Sequence, residues 1–192
     1  LLAERLVLAV PAHQAARLLA PLAPETAAQL EAIPYPPVMV LHLAYERQAV
    51  THPLDGFGFL VPSAEKRHFL GVIWNSSVFP QKAPEDKVLF TVFVGGSRQP
   101  ELIGMHFGDL LPRIRAELET ILGIQAAPVL EEHLIWPRAI PQYSLGHEQR
   151  IAAVEKMESE LEGLHLLGNY RGGVSLGDCM MNALRLAGKL SA

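Results

Sequence analysis

The residues best suited to hold a ligand form a glycine-rich turn near the carboxyl end of the chain. Gly168–Cys179 reads GNYRGGVSLGDC, after an apolar run at Leu164–Leu167 that predicts a buried strand and before a predicted helix at Met180–Leu190. Glycines let backbone approach a ligand, and free N–H groups in a helical first turn point at an anion or a polar cofactor edge. Asp178 would lie in that first turn, where a carboxylate is favoured. The turn is a candidate cofactor site, although many such turns carry glycines for packing alone.

Other arrangements of reactive side chains carry less weight. Ser175, His147 and Asp178 could be written as a hydrolytic triad, but no G-x-S-x-G motif supports it, and unrelated polar residues are the better interpretation. The eight histidines lack paired zinc spacing, so no metal site is predicted. We interpret His42, inside an apolar run, as a structural histidine and Asn75 as a turn-capping residue. No catalytic acid or base is identified.

Composition places the chain among ordinary globular proteins. Its 192 residues are 49% apolar with a formal net charge of −4, and nothing in them forms the basic patch that nucleic acid demands. One cysteine, Cys179, excludes an intrachain disulfide and favours a reducing, cytoplasmic compartment. No apolar run reaches the roughly 20 residues that span a bilayer, which leaves peripheral membrane contact open. The start at Leu1, with no initiator Met or signal peptide, leads us to expect a piece of a longer protein.

The hydrophobic pattern predicts several antiparallel strands with helices at either end, which is an α+β fold rather than a regular βαβ alternation. The predicted strands are Arg5–Val10, Val38–Tyr45, Gly56–Pro62, Arg67–Trp74, Lys87–Gly95 and Pro128–Ile135. Helices are predicted after Pro11 and at Pro24–Glu31, Leu102–Leu122 and Gly146–Glu162. A four-residue hairpin at 63–66 would join the third and fourth strands. Leu60, Ile73 and Phe93 could then line one wall of an apolar cavity or belong to ordinary core.

Four segments together resemble a known family. Gly56–Pro62 (GFGFLVP), Phe90–Arg98 (FTVFVGGSR), Trp136–Gly146 (WPRAIPQYSLG) and the turn at Gly168–Cys179 are similar to the carboxyl half of FAD-dependent protoporphyrinogen oxidases. These enzymes are flavin amine-oxidase-like proteins. The resemblance runs nearly end to end, with the segments in the family's order.

The resemblance implies a division of the chain. Residues 1–35 would return towards an FAD-binding domain, 36–136 would form a substrate-binding domain, and 137–192 would be the carboxyl-terminal segment of the FAD domain. The expected fold is α+β, with a mixed, largely antiparallel substrate-domain sheet, flanking helices and a strand–helix piece of the FAD domain. The family's amino-terminal dinucleotide-binding unit is absent from this sequence, as is the arginine that meets a substrate propionate.

The resemblance also implies site residues and a reaction. The residues expected beside FAD are Trp136, Gly168, Val174, Ser175 and Leu176. Those expected to pack on the tetrapyrrole are Leu60, Ile73 and Phe93. The implied reaction is the oxidation of protoporphyrinogen IX to protoporphyrin IX, in which the flavin carries the chemistry and the protein orients and shields the substrate.

Two other functions stay open at this point. The chain could come from another flavin amine-oxidase-like enzyme, such as a carotenoid or amine oxidase, or it could be a non-catalytic module that binds a planar ligand. The choice between protoporphyrinogen and coproporphyrinogen, the electron acceptor and the oligomeric state are also open. Self-association is an expectation, because a partial chain would expose normally covered surfaces.

We expect the chain by itself to bind FAD weakly or not at all. It carries no G-x-G-x-x-G loop to hold the pyrophosphate at a helix N-terminus. A titration followed by flavin fluorescence measures this affinity. Sub-micromolar binding together with oxidase turnover by the chain alone would contradict the expectation.

Overall fold

The structure, a computed structural model, describes residues 3–191 and divides into two compact units. One unit runs up to Tyr35 and resumes at Ile140, and the other is Pro36–Ala139. The sequence-based division places these boundaries after residues 35 and 136. Within residues 3–191, no helix combines the length and the apolar character needed to cross a bilayer.

The described residues mix helices with a mostly antiparallel sheet, which confirms the predicted α+β class. The strands are Leu6–Leu8 (β1), Val38–Glu46 (β2), Gly58–Leu60 (β3), Gly71–Trp74 (β4), Lys87–Gly95 (β5), Leu130–Trp136 (β6) and Leu164–Leu166 (β7). The helices are Ala12–Leu19 (α1), Pro24–Glu31 (α2), Asn75–Val78 (α3), Phe107–Leu122 (α4), His147–Glu160 (α5) and Leu176–Ser191 (α6).

A five-stranded antiparallel sheet, in the order β3-β4-β5-β2-β6, organises the unit Pro36–Ala139. The strand predicted at Val38–Tyr45 is β2, which lies inside the sheet between β5 and β6. Alternate residues of β2 point to opposite faces, and Met39, Leu41 and Leu43 are buried on one of them. Leu110 and Ile114 of α4 belong to the same buried cluster, so the helix covers that face of the sheet.

Helix α4 is shorter than predicted, because the chain breaks before it. Pro100–Gly104 forms a separate 3-10 helix, and the extended residue His106 precedes the first turn of α4. Pro112 lies inside the helix and does not mark its start. Gly123 ends the helix in the left-handed conformation, at φ 61°.

The third and fourth strands pair antiparallel, as the predicted hairpin requires, but the predicted four-residue connection is wrong. Only Gly71–Trp74 is a strand, and it is joined to β3 by the whole segment 61–70. The backbone N–H of His68 donates to the carboxylate of Glu117 at 3.0 Å, and the His68 ring contacts that carboxylate at 2.7 Å. The backbone N–H of Val61 donates to the carbonyl of Leu70 at 2.9 Å, and between these two residues the segment is bonded to α4.

In the other unit, β1 and β7 pair in parallel, and α1, α2 and α5 pack around Leu30, Val154 and Leu166. The prediction of a buried strand at Arg5–Val10 is wrong in length and burial. Leu6 is 53% exposed and Val7 is 39% exposed. Within the described chain, β1 belongs to a sheet of two strands, with β7 as its partner. Parallel strands are normally covered on both faces.

Replacing Gly123 by alanine should lower the free energy of unfolding of the unit Pro36–Ala139 by about 1–3 kcal/mol. The left-handed backbone disfavours a side chain, and an added Cβ would come 1.9 Å from Oγ1 of Thr51. Gly104→Ala is the matched control, because nothing lies within 4 Å of its added Cβ. Chemical denaturation measures both changes, and equal stability of the two variants would refute the prediction.

Candidate functional site

The glycine-rich turn begins after β7 and leads directly into α6, which starts four residues before the predicted Met180, at Leu176. Val174 and Ser175 precede the helix, and Leu176 is its first residue. The predicted cofactor residues of this segment therefore lie at the amino end of a 16-residue helix. Asp178 lies in the first helical turn, as predicted.

Ser175 and Asp178 form a reciprocal cap on this helix. The backbone N–H of Asp178 donates to Oγ of Ser175 at 3.1 Å, and the backbone N–H of Ser175 donates to Oδ2 of Asp178 at 3.2 Å. The Ser175 hydroxyl also donates to that carboxylate at 2.6 Å. Such a capping box satisfies two donors at a helix start, so both side chains are already occupied.

The turn itself is tightly folded around two side chains of α6. Gly172 (φ 70°) and Gly173 (φ 123°) adopt backbone conformations that favour glycine. An added Cβ would come 2.7 Å from Nδ2 of Asn182 at the first position and 2.3 Å from Cγ of Asp178 at the second. Packing within the turn is therefore sufficient to explain both glycines.

Arg171 ties the turn to α5. Its guanidinium donates to both carboxylate oxygens of Glu158, at 2.8 and 2.9 Å, and to the carbonyl of Leu166 at 3.3 Å. The Glu158 carboxylate also accepts from the backbone N–H of Leu166 at 2.7 Å. Because Glu158 is only 15% exposed, this charge-assisted pair fixes the start of the turn.

Tyr143 holds the turn from the other side. Its hydroxyl donates to the carbonyl of Asn169 at 3.0 Å and accepts from the N–H of Gly173 at 3.1 Å. Desolvation by burial raises the pKa of Tyr143, so the hydroxyl keeps its proton for this bond. The ring stacks on His147 at 4.1 Å, and Nε2 of His147 donates to the carbonyl of Tyr170 at 2.9 Å. His147 is thus a structural residue, and Ser175 and Asp178 do not form a triad with it.

Three backbone N–H groups at the helix start have no acceptor within residues 3–191. They belong to Val174, Leu176 and Gly177. The side chains of Val174 and Leu176 are 38% and 78% exposed beside them. Free donors next to apolar surface fit the polar edge of an isoalloxazine ring and its flat face. Gly168 has a different explanation, since its added Cβ would come 2.4 Å from the ring of Tyr170.

The three predicted substrate residues lie on one face of the five-stranded sheet, the face opposite α4. We call this surface the open face, and its side chains include Val38, Val40, His42, Leu60, Ile73, Thr91, Phe93, Glu132, Leu134 and Trp136. The strand register aligns a row across all five strands that consists of Leu60, Gly71, Phe93, Val40 and Leu134. At about 4.8 Å per strand, the row spans about 19 Å.

Several side chains on the open face are exposed. Leu60 is 85% exposed, Leu134 54% and Trp136 52%, whereas Phe93 and Ile73 are half-buried. Trp136 is the last residue of β6, because it pairs with Val38. It therefore lies on the same surface as the substrate residues.

The eight predicted site residues thus fall into two groups. Trp136, Leu60, Ile73 and Phe93 share the open face of the unit Pro36–Ala139. The remaining four are in the other unit, where Val174, Ser175 and Leu176 adjoin one another and Gly168 packs on Tyr170.

The open face also holds a polar group that the sequence-based predictions missed. Thr91 contacts Nδ1 of His42 at 3.1 Å and donates to Oδ1 of Asn75 at 2.6 Å. Asn75 therefore binds a strand side chain, and the predicted turn-capping role is wrong. The alternation of β2 could have identified His42, because it shares a face with Val40.

Two recesses among the described residues contain none of the predicted substrate residues. A recess of about 380 Å³ beside Pro62 is lined by Arg67 and Arg98, among others. A second, of about 530 Å³, lies beside Arg171 and includes Gly168 among its lining residues. The open face is a surface shelf rather than either of these recesses.

Replacing Tyr143 by phenylalanine should speed amide exchange at Gly173 about five- to tenfold, because the hydroxyl is the acceptor for that N–H. Tyr35→Phe is the matched control, since its hydroxyl accepts from the N–H of Ala12 instead. Residue-resolved hydrogen exchange measures both amides. Unchanged exchange at Gly173 in Tyr143→Phe would show that the hydroxyl does not hold the turn.

Comparison with known proteins agrees with this architecture. The chain is 36% identical to protoporphyrinogen oxidase 2 of Arabidopsis thaliana over 161 residues, which cover 82% of this chain and 32% of the relative. It is 37% identical to the mitochondrial protoporphyrinogen oxidase of Nicotiana tabacum over 158 residues, or 81% of this chain and 31% of that protein. The chain thus spans about a third of the length of these curated relatives.

Solved structures and a family description match almost the entire chain. A crystal structure from Exiguobacterium sp. 255-15, of a protein whose name places it provisionally among the protoporphyrinogen oxidases, superposes with a TM-score of 0.80 at 25% identity. That match covers 98% of this chain and 41% of the other. Residues 2–190 match the family described as flavin containing amine oxidoreductase. The chain therefore belongs to the flavin containing amine oxidoreductase family.

Proposed function

We propose that this chain provides the tetrapyrrole-binding sheet and the flavin-contacting turn of an enzyme that oxidises protoporphyrinogen IX to protoporphyrin IX. The observation that carries the proposal is the open face, where the exposed Leu60 and the half-buried Ile73 and Phe93 share one surface. The relatives named protoporphyrinogen oxidase support the choice of substrate.

The shape and chemistry of the open face suit a flat apolar macrocycle. Two glycines, Gly58 and Gly71, interrupt its rows, and the side chain of Leu60 lies over the second of them, 2.9 Å from the position of an added Cβ. Large exposed apolar side chains at both ends of a sheet row favour contact with a broad ligand, because a patch of this kind is unfavourable in water. Trp136 adds an aromatic ring at the far edge of the same surface.

The proposed cofactor is FAD, and the residues at its flavin end would be Val174, Ser175 and Leu176. The free N–H groups of the turn would hold the polar edge of the ring, and the capping box would keep the helix start rigid. When bound, the flavin supplies the electron acceptor for the oxidation. The residues of this chain would orient the macrocycle, exclude water from one of its faces and hold the cofactor edge.

A second candidate is a module that binds a planar ligand without catalysis. It is favoured by one observation, which is that the whole open face belongs to Pro36–Ala139 and uses no residue of the glycine-rich turn. The two functions differ in their dependence on flavin. Oxidation of protoporphyrinogen that requires added FAD and the complementary part of the enzyme would favour the first.

Leu60→Glu should weaken protoporphyrin IX binding at least tenfold, because it places a carboxylate under the macrocycle. The side chain is 85% exposed, so the fold should tolerate the change. Val129→Glu is the matched control. Val129 is 52% exposed and lies one residue before β6, where the alternation of the strand assigns it to the face opposite the open face. Fluorescence titration of the chain with protoporphyrin IX measures both, and equal affinities for the two variants would place the ligand elsewhere.

A further inference from the structure

The polar group on the open face is a chain of three side chains. Thr91 is buried between His42 on the neighbouring strand and Asn75 at the start of α3. Ser76 fixes α3 against β5, because its hydroxyl accepts the backbone N–H of Leu89 at 3.1 Å. Asn75 is therefore held in place by a bond separate from the one it makes with Thr91.

The protons of this group can be counted. The Thr91 hydroxyl has one hydrogen, and its 2.6 Å separation from Oδ1 of Asn75 is typical of an O–H···O bond and shorter than an N–H···O bond. That hydrogen is therefore used, and Thr91 can only accept from His42 at 3.1 Å. Nδ1 of His42 must carry a proton, so in the neutral imidazole Nε2 has a free lone pair.

The free nitrogen is available to a ligand on the open face. Nε2 of His42 has no hydrogen-bond partner within residues 3–191. It also differs from the fully buried polar atoms that lack a partner, because it is not completely enclosed by protein. The ring lies one row, about 7 Å along the strands, from the apolar row that contains Phe93 and Val40. The charged residue beside it on the open face is Glu132, the partner of His42 in the register of β2 and β6.

We propose that Nε2 of His42 accepts a hydrogen bond from a pyrrole N–H and thereby selects the reduced macrocycle over its oxidised product. A porphyrinogen has four pyrrole N–H groups, and its saturated bridges let them tilt out of the ring plane towards an acceptor below. In planar protoporphyrin IX the remaining N–H groups point to the centre of the ring and cannot reach such an acceptor well. The inference rests on the proposed function and adds a specificity-determining residue, with Thr91 and Asn75 as positioning residues.

Anaerobic titration of the chain with protoporphyrinogen IX and with protoporphyrin IX tests the preference. Wild type should bind the reduced macrocycle more tightly. The preference is measured as the dissociation constant of protoporphyrin IX divided by that of protoporphyrinogen IX. His42→Phe should reduce this ratio about three- to tenfold, which is the contribution of one neutral hydrogen bond. His42→Gln restores an acceptor and should recover part of the ratio, which guards against a folding defect in the first variant. Glu132→Gln should leave the ratio unchanged.

Zinc protoporphyrin IX gives a second, spectroscopic measurement. Its metal takes one axial imidazole, so a free Nε2 below the ring should shift the Soret band to the red. His42→Phe should abolish the shift, whereas His133→Phe should preserve it, because His133 lies on the opposite face and stacks on Phe107. Thr91→Val should weaken the Soret shift, because the acceptor that keeps the proton on Nδ1 of His42 is then lost.

The outcomes separate the two proposals. If wild type binds neither macrocycle, the proposed function and this inference both fail. If it binds them through the open face but His42→Phe keeps the redox preference and the Soret shift, the inference alone is overturned. Loss of both signals in His42→Phe, with His133→Phe unaffected, supports it.

Discussion

The register of one antiparallel sheet, whose other face is covered by the long helix α4, determines the other properties of the unit Pro36–Ala139. Because side chains alternate along β2 and β5, the same strands that bury Leu41 and Val92 against α4 must present Val40 and Phe93 on the opposite side. A slip of one residue would exchange the two sets. The long pairing of β2 with β5, from Val38 to Glu46, makes that register costly to change.

The glycine-rich turn depends on a different constraint, which is that its backbone N–H groups need hydrogen-bond acceptors. The cap formed by Ser175 and Asp178 and the hydroxyl of Tyr143 satisfy three of them. This leaves the N–H groups of Val174, Leu176 and Gly177 at the start of α6 without an acceptor among the described residues. The turn is therefore rigid where it is bonded and able to bind where it is not, which is the arrangement a cofactor edge requires.

Much of this architecture could be predicted from the sequence. The apolar runs that form β2 and β5 could be placed as strands because they are long and continuous, and Gly123 could be placed at the end of α4 because a left-handed residue there favours glycine. The four-residue hairpin could not be excluded, since the contact between His68 and Glu117 joins residues 49 positions apart. The role of Asn75, the first residue of α3, was missed for the same reason, because its partner Thr91 lies 16 positions away on β5. Long-range side-chain bonds of this kind leave no local pattern.

The central claim is that a planar tetrapyrrole lies on the open face, and methyl NMR with protoporphyrin IX tests it most directly. Ring currents act over a short range, so the account predicts upfield shifts of the methyl groups of Val40, Leu60, Ile73 and Leu134. The core-facing methyl groups of the same strands, Leu41, Val72 and Val92, should shift little. Saturable binding that shifts the core-facing methyl groups, or neither set, would contradict the account.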